Sequence, residues 1–297
     1  MNPAVFLFPG QGSQFVGMGK VLFAASVPAR RVYEEANEVL GFDLAALSFE
    51  GPESELIQTR NTQPAILTHS VAVLREVEAR GLRPKAAAGH SLGEYSAYVA
   101  AGSLTFAAAV RLVRRRGELM YEAGLRRPGT MAAILGLEGA QVEALCEEVT
   151  EGIVRAANLN SPGQVVISGE PAGVDAAMER AKAAGAKRVI PLNVSGAFHS
   201  PLMEYAYEGL REALAGVPIA PAAFPVVANA SASVVREPEA IRESLARQLL
   251  NPVRWEASMR LLIQDPGGPF LEAGPGKVLK GILRGSDRDA ECGAAGD

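Results

Sequence analysis

Residues 4–8, Ala-Val-Phe-Leu-Phe, form an unbroken apolar run that Pro9-Gly10 ends, which predicts a buried strand opening into a loop. Over Pro28–Leu40 the spacing turns helical. Val32, Ala36, Val39 and Leu40 share a face, Pro28 suits a first turn, and Gly41 follows as a stop. The same design predicts a helix over Pro64–Arg80, with Leu67, Val71 and Leu74 inward and Gly81 at its end. Lys85–His90 is poor strand material by composition. It is predicted as a strand because a tight Gly-bounded turn and a helical run, Leu92–Ala101, follow it. Thr105–Ala123 predicts a further helix.

From Gly129 to Ser195 the alternation changes. Strands are predicted at Met131–Leu135, Val154–Leu159, Gln164–Ser168 and Arg188–Val194, and helices at Ala140–Val149 and Val174–Ala184. Asn160-Ser161-Pro162-Gly163 marks a turn between the middle strands. The order βαββαβ is that of a ferredoxin-like unit. The flanking stretches read as one split α/β domain, continued by strand candidates at Pro225–Asn229 and Pro269–Glu272. The domain boundaries expected are 1–127 with 197–297 for the large domain and 128–196 for the small one. Beyond Arg284 the polar, Gly-rich tail carries no pattern and is expected to fray.

Composition narrows the class without naming a function. The 297 residues are 48% hydrophobic and 21% charged, enough for a sizeable core and unlike a disordered chain. A net charge of −4 argues against a protein built to grip nucleic acid. No apolar run reaches the roughly 18 residues of a membrane span, and the N-terminus lacks the basic start of a signal peptide. Two cysteines, Cys146 and Cys292, leave no disulfide framework or metal site to expect, and make a cytoplasmic location the default.

Gly89-His90-Ser91-Leu92-Gly93 fits G-x-S-x-G, the turn that sets a serine hydroxyl at a helix N-terminus. A serine nucleophile needs a base, and the chain has three histidines. His90 adjoins Ser91 on the turn and should point elsewhere. His69 sits mid-helix beside Leu67 and Val71, where packing is its expected role. His199 lies in a loop, Ser195–Pro201, that returns to the large domain, a usual place for catalytic groups. Between Ser91 and His199 the one aspartate is Asp175, in a small-domain helix, so no good aspartate completes a Ser…Asp…His order, although glutamates remain. The alternative for Ser91 is a helix cap on an ordinary turn.

Gly10-Gln11-Gly12-Ser13-Gln14-Phe15 follows the first strand. A dinucleotide fingerprint fails on Phe15, and a P-loop ending at Gly19-Lys20 fails on Gln14 and Val21. What remains is a loop that brings main-chain N–H groups close to a reacting atom; with that of Leu92, the N–H of Gln11 could form an oxyanion hole. In the next long helix Arg116 shares its face with Ala109, Leu112, Val113 and Met120. A buried guanidinium needs an anion, either a structural carboxylate or a substrate's. Gln248 raises the same question, on a face with Ile241, Leu245 and Leu249.

Seven blocks, in order, resemble the malonyl-CoA:acyl carrier protein transacylase family of bacterial fatty acid synthesis. They are Phe8–Gln14, Gly89–Glu94, Arg116-Gly117, Asn158–Gln164, Ala197–Ser200, Gln248–Pro252 and Glu272–Lys277. The resemblance spans residue 4 to about 284. It implies an α/β-hydrolase-like large domain with an inserted ferredoxin-like domain, and ping-pong transfer of malonyl from malonyl-CoA to the thiol of holo acyl carrier protein. It implies Ser91 as nucleophile and His199 as base, with a main-chain carbonyl, that of Gln248, in place of the missing aspartate. Arg116 falls on the carboxylate-binding position, and Gln11 and Leu92 on the oxyanion donors. Gln248 and Asn160 fall at the substrate site, and Phe198 resembles the bulky residue that crowds an α-methyl branch. No metal or other cofactor is implied. A serine hydrolase or thioesterase on the same elbow is the alternative. An unshifted histidine titrates near pH ~6.5, so acylation is expected to slow in mildly acid solution.

Overall fold

A computed structural model describes residues 3–296 of the chain. Its strands are β1 (Ala4–Phe8), β2 (Pro84–Gly89), β3 (Thr130–Leu135), β4 (Val154–Ser161), β5 (Gln164–Gly169), β6 (Arg188–Leu192), β7 (Val226–Ala228), β8 (Ser233–Val234), β9 (Phe270–Ala273) and β10 (Cys292–Ala295). They form two sheets. The larger has the order β10-β9-β1-β2-β7-β8, parallel throughout except for the antiparallel edge strand β8. All five residues of β1 are buried, as expected of a strand covered by helices on both faces. β2 holds its central place between β1 and β7 despite Lys85-Ala-Ala-Ala-Gly, with Ala86, Ala87 and Ala88 fully buried. In the register Phe8 faces Gly89. The loops that leave β1 and β2 therefore start side by side at the carboxyl edge of the sheet, where α/β proteins build their sites.

The second sheet, order β4-β5-β3-β6, is antiparallel throughout. Helices Gly139–Glu147 and Pro171–Ala183 pack on it around Ile134, Val142, Val165, Ile167 and Val174, a cluster of its own. β4 reaches the other sheet's territory through Val253. Its N–H donates to Ala157 at 2.8 Å, and its carbonyl accepts from Leu159 at 2.9 Å.

Three expectations change. The helix expected from Pro64 begins at Thr59 and runs to Ala79, with Pro64 inside it. Proline donates no hydrogen bond to the Arg60 carbonyl, and Arg114 Nη1 donates to that oxygen instead, at 3.1 Å. β4 extends to Ser161, leaving Pro162-Gly163 as the turn, with Gly163 at φ 72°. The tail is not patternless in space. Helix Val278–Ser286 outlasts Arg284, and β10 pairs in parallel with β9, Cys292 opposite Phe270. Main-chain pairing makes this edge strand, and Cys-Gly-Ala-Ala leaves no side-chain alternation to read. Among the described residues, no helix is long and apolar enough to cross a membrane.

Candidate active site

Main-chain crowding shapes the turn after β2. A Cβ on Gly89 would lie 1.8 Å from the Gly93 carbonyl carbon, and one on Gly93 would lie 2.0 Å from the Phe8 oxygen. Glycine is required at both places. Between them Ser91 sits at φ 50°, a left-handed conformation that costs of order 1–3 kcal/mol. Asn229, just past β7, holds it there. Its Oδ1 accepts from the Ser91 N–H at 2.7 Å, and its Nδ2 donates to the Gly89 carbonyl at 2.7 Å.

His199 is also left-handed, at φ 57°, in a turn tied by Ser200 Oγ donating to the Ala197 carbonyl. Its Nε2 lies 2.8 Å from Ser91 Oγ, and its Nδ1 lies 2.9 Å from the Gln248 carbonyl oxygen. A carbonyl only accepts, so Nδ1 carries the hydrogen and the Nε2 lone pair faces the serine hydroxyl. Burial, followed by the charge of Arg116, pushes the imidazole pKa down to about 3. The mild-acid titration expected from an unshifted histidine is thereby displaced downward. Burial removes water that would stabilise the imidazolium.

Arg116 is 1% exposed, and all its hydrogen-bond partners are neutral. Nη1 donates to Gln63 Oε1 at 2.7 Å, and Nη2 donates to Gln248 Oε1 at 2.9 Å and to Ser91 Oγ at 3.1 Å. Its Nε is buried with no acceptor among the described residues. No carboxylate forms a salt bridge with Arg116 among the described residues; the Tyr95 ring centroid lies 5.7 Å from its Cζ, and Nη2 stands beside the serine.

These groups meet in a cavity of about 230 Å³ between the two sheets. Gln11, Leu92, Arg116, Phe198 and His199 line it from the larger sheet's side. Neither the Gln11 nor the Leu92 N–H is hydrogen-bonded to another group among the described residues. Asn160 lines it from β4, its Oδ1 accepting from His90 Nε2 at 2.8 Å. His90 thus points away from Ser91, its ring 5.3 Å from that of Trp255. His69 is buried elsewhere, Nδ1 3.0 Å from the Tyr33 hydroxyl.

Gln248 departs from its expected place at the substrate. It lies behind Arg116 and off the cavity wall, and its amide is committed to Arg116, to the Ser91 carbonyl and to Glu94. Glu94, Asn229 and Gln63 were not singled out from the sequence. The available signal was a polar group in an apolar setting. Glu94 opens the helix Gly93–Ala100 among Tyr95, Ala97, Tyr98 and Val99, and is fully buried. Burial raises its carboxyl pKa to about 7 against the pull of hydrogen bonds from Asn229, Gln248 and Ser244.

A family model described as an acyl transferase domain matches residues 5–291. A malonyl CoA-acyl carrier protein transacylase from Bacillus subtilis (strain 168) is 50% identical over 299 residues, covering 100% of this chain and 94% of the relative. One of the same name from Escherichia coli (strain K12) is 46% identical, covering 96% of this chain and 93% of its own length. A solved structure of a type II PKS acyl-carrier protein in complex with its malonyl-transacylase superposes with a TM-score of 0.96. It has 44% identity and covers 100% of this chain and 96% of that one.

Proposed function

We propose a reaction path for this chain on the premise that it belongs to the acyl transferase domain family. It is an acyltransferase that moves malonyl from malonyl-CoA to acyl carrier protein, the activity for which its relatives at up to 50% identity are named. The path runs through Ser91. The hydroxyl oxygen attacks the thioester carbonyl carbon while its proton passes to His199 Nε2. The Gln11 and Leu92 N–H groups hold the tetrahedral oxyanion. Collapse breaks the carbon–sulfur bond, the imidazolium returns its proton to the departing sulfur, and CoA leaves as a thiol with malonyl esterified to Ser91. The phosphopantetheine thiol of holo carrier protein then reverses these steps and takes the malonyl group, supplying fatty acid synthesis.

One observation carries this path. Ser91 Oγ lies 2.8 Å from an acceptor nitrogen and 3.1 Å from a buried guanidinium whose hydrogen-bond partners are all neutral. The base activates the oxygen, and the guanidinium takes the distal carboxylate that distinguishes malonyl from acetyl. Asn160 stands on the opposite wall, and Phe198 beside the base crowds the α-carbon. Gln248 contributes its carbonyl to His199 and its amide to Arg116.

The finer architecture belongs to the same reading. An α/β-hydrolase-like domain, 1–127 with 197–297, carries the serine, the histidine and the arginine, and a ferredoxin-like insert, 128–196, closes the cavity. The parallel order of the first sheet and the βαββαβ order and separate cluster of the second support this division. Two free cysteines suit a cytoplasmic enzyme.

Incubation with malonyl-CoA, with and without holo carrier protein, tests the function. Malonyl-carrier formed with little free malonate is the expected result. Carrier-independent malonate release would make the protein a hydrolase, and an inert protein would leave it a docking subunit.

A further inference from the structure

The mechanism gives Glu94 no task, yet it sits at the centre of the site's hydrogen bonds. It lies one helical turn past Ser91, fully buried. Oε2 accepts from the Asn229 N–H at 3.0 Å and from Gln248 Nε2 at 2.7 Å, and Oε1 accepts from Ser244 Oγ at 3.3 Å. The Gln248 amide has two ends of opposite character. Arg116 can only donate, so the end facing it must be the oxygen. The NH₂ end faces Glu94 Oε2 and the Ser91 carbonyl, both acceptors. Were the amide reversed, its NH₂ would meet the guanidinium and its oxygen would meet two acceptors.

We propose that Glu94 is the positioning residue for the carboxylate clamp: by accepting from Gln248 it fixes the amide orientation that presents Oε1 to Arg116. Glu94 touches neither the cavity nor the reacting atoms and acts through Gln248. His199 takes its support from the Gln248 main chain, which the 3₁₀ turn Gln248–Leu250 holds independently of the side chain. Glu94 therefore governs the use of Arg116 more than the use of His199, and its loss should show as lost discrimination for the distal carboxylate.

This inference rests on the proposed role of Arg116, and two isologous changes test it by position against charge. Glu94→Gln keeps an acceptor oxygen where Oε2 stands and turns its own NH₂ to Ser244 Oγ, which can accept. Glu94→Asp keeps the carboxylate but withdraws it by one methylene from Gln248. The readout is the ratio of malonyl-CoA to acetyl-CoA acylation of Ser91 in one competition. The ratio should stay within about twofold of the parent in Glu94→Gln and fall about tenfold in Glu94→Asp, an ordinary size for a lost coupled contact. Gln248→Leu, which deletes the amide and keeps the carbonyl, should lower the ratio alike, and adding Glu94→Asp to it should lower it no further. An unchanged ratio in Glu94→Asp overturns the proposal. So does a parallel fall of both activities, the mark of a structural role, or a loss in Glu94→Gln with retention in Glu94→Asp, the mark of a charge effect. If the unaltered protein shows no malonyl preference, the fault lies with the arginine clamp itself.

Discussion

His199 Nδ1 donates to the main-chain oxygen of Gln248 at 2.9 Å, so the imidazole's second partner is a neutral dipole where a serine triad would place a carboxylate. A carbonyl orients the ring as firmly as a carboxylate does but stabilises the imidazolium less. The site can afford this because thiol is a good leaving group and needs less help from a strong general acid.

That relationship sets the pH dependence. With its pKa held down to about 3 by burial and by Arg116, His199 stays neutral through mildly acid solution. The first-order acylation constant at low malonyl-CoA should therefore show no histidine limb between about pH 7 and 5. A carboxylate bound at Arg116 cancels part of the second cause, so the acidic limb at saturating substrate should lie higher than at low substrate. Stability follows the opposite bookkeeping to that of a paired histidine. The unfolded chain binds a proton at His199 below about pH 6.5 that the folded chain refuses, so this residue's contribution falls as pH drops from there toward 3. Rapid-quench acylation across pH is the check, and a limb near 6.5 that vanishes in an otherwise folded His199→Ala would contradict it.

Ser91→Ala should form no malonyl-enzyme adduct while folding normally, because the residue's main-chain bond to Asn229 survives the change. Intact-protein mass spectrometry after malonyl-CoA treatment reads this directly. A stoichiometric adduct on the variant would move the nucleophile elsewhere.

Arg116→Ala should lose malonyl transfer by roughly 30-fold to several thousandfold, from the about 2–5 kcal/mol that truncating one partner of a desolvated charge pair costs. Acetyl transfer has no distal carboxylate and should fall far less. Arg116→Lys should recover little, since an ammonium cannot keep Gln63, Gln248 and a carboxylate in one plane. Equal losses of both substrates would reduce Arg116 to a structural residue.

Phe198 is 6% exposed and shares the cavity wall with the base. Phe198→Ser should raise methylmalonyl-CoA use relative to malonyl-CoA by about tenfold to a hundredfold, within the about 1–3 kcal/mol that one methyl group commands. The unaltered protein should prefer malonyl-CoA in direct competition, and equal use of the two thioesters would refute the crowding argument.

Local physics wrote much of this into the chain. An apolar run closed by Pro9-Gly10 points to a buried strand entering a loop, and glycines four apart around Ser91, at 89 and 93, point to a tight turn. The apolar face of Arg116 announced a buried guanidinium, because periodicity fixes which side chains a helix turns inward. Periodicity could not say what that guanidinium meets. Gln63 and Gln248 lie 53 and 132 residues away in sequence, and only packing brings their oxygens to it. Pro64 misled as a start signal because the acceptor it orphans is satisfied by Arg114, a contact of the same long-range kind. β10 carries no sequence signal because strand pairing is a main-chain property that Gly and Ala do not advertise. The histidine's pKa, the amide orientation of Gln248 and the burial of Glu94 were likewise decided by the tertiary structure. Each depends on how much water and which dipoles surround a group, and the neighbours that supply them come from distant parts of the chain.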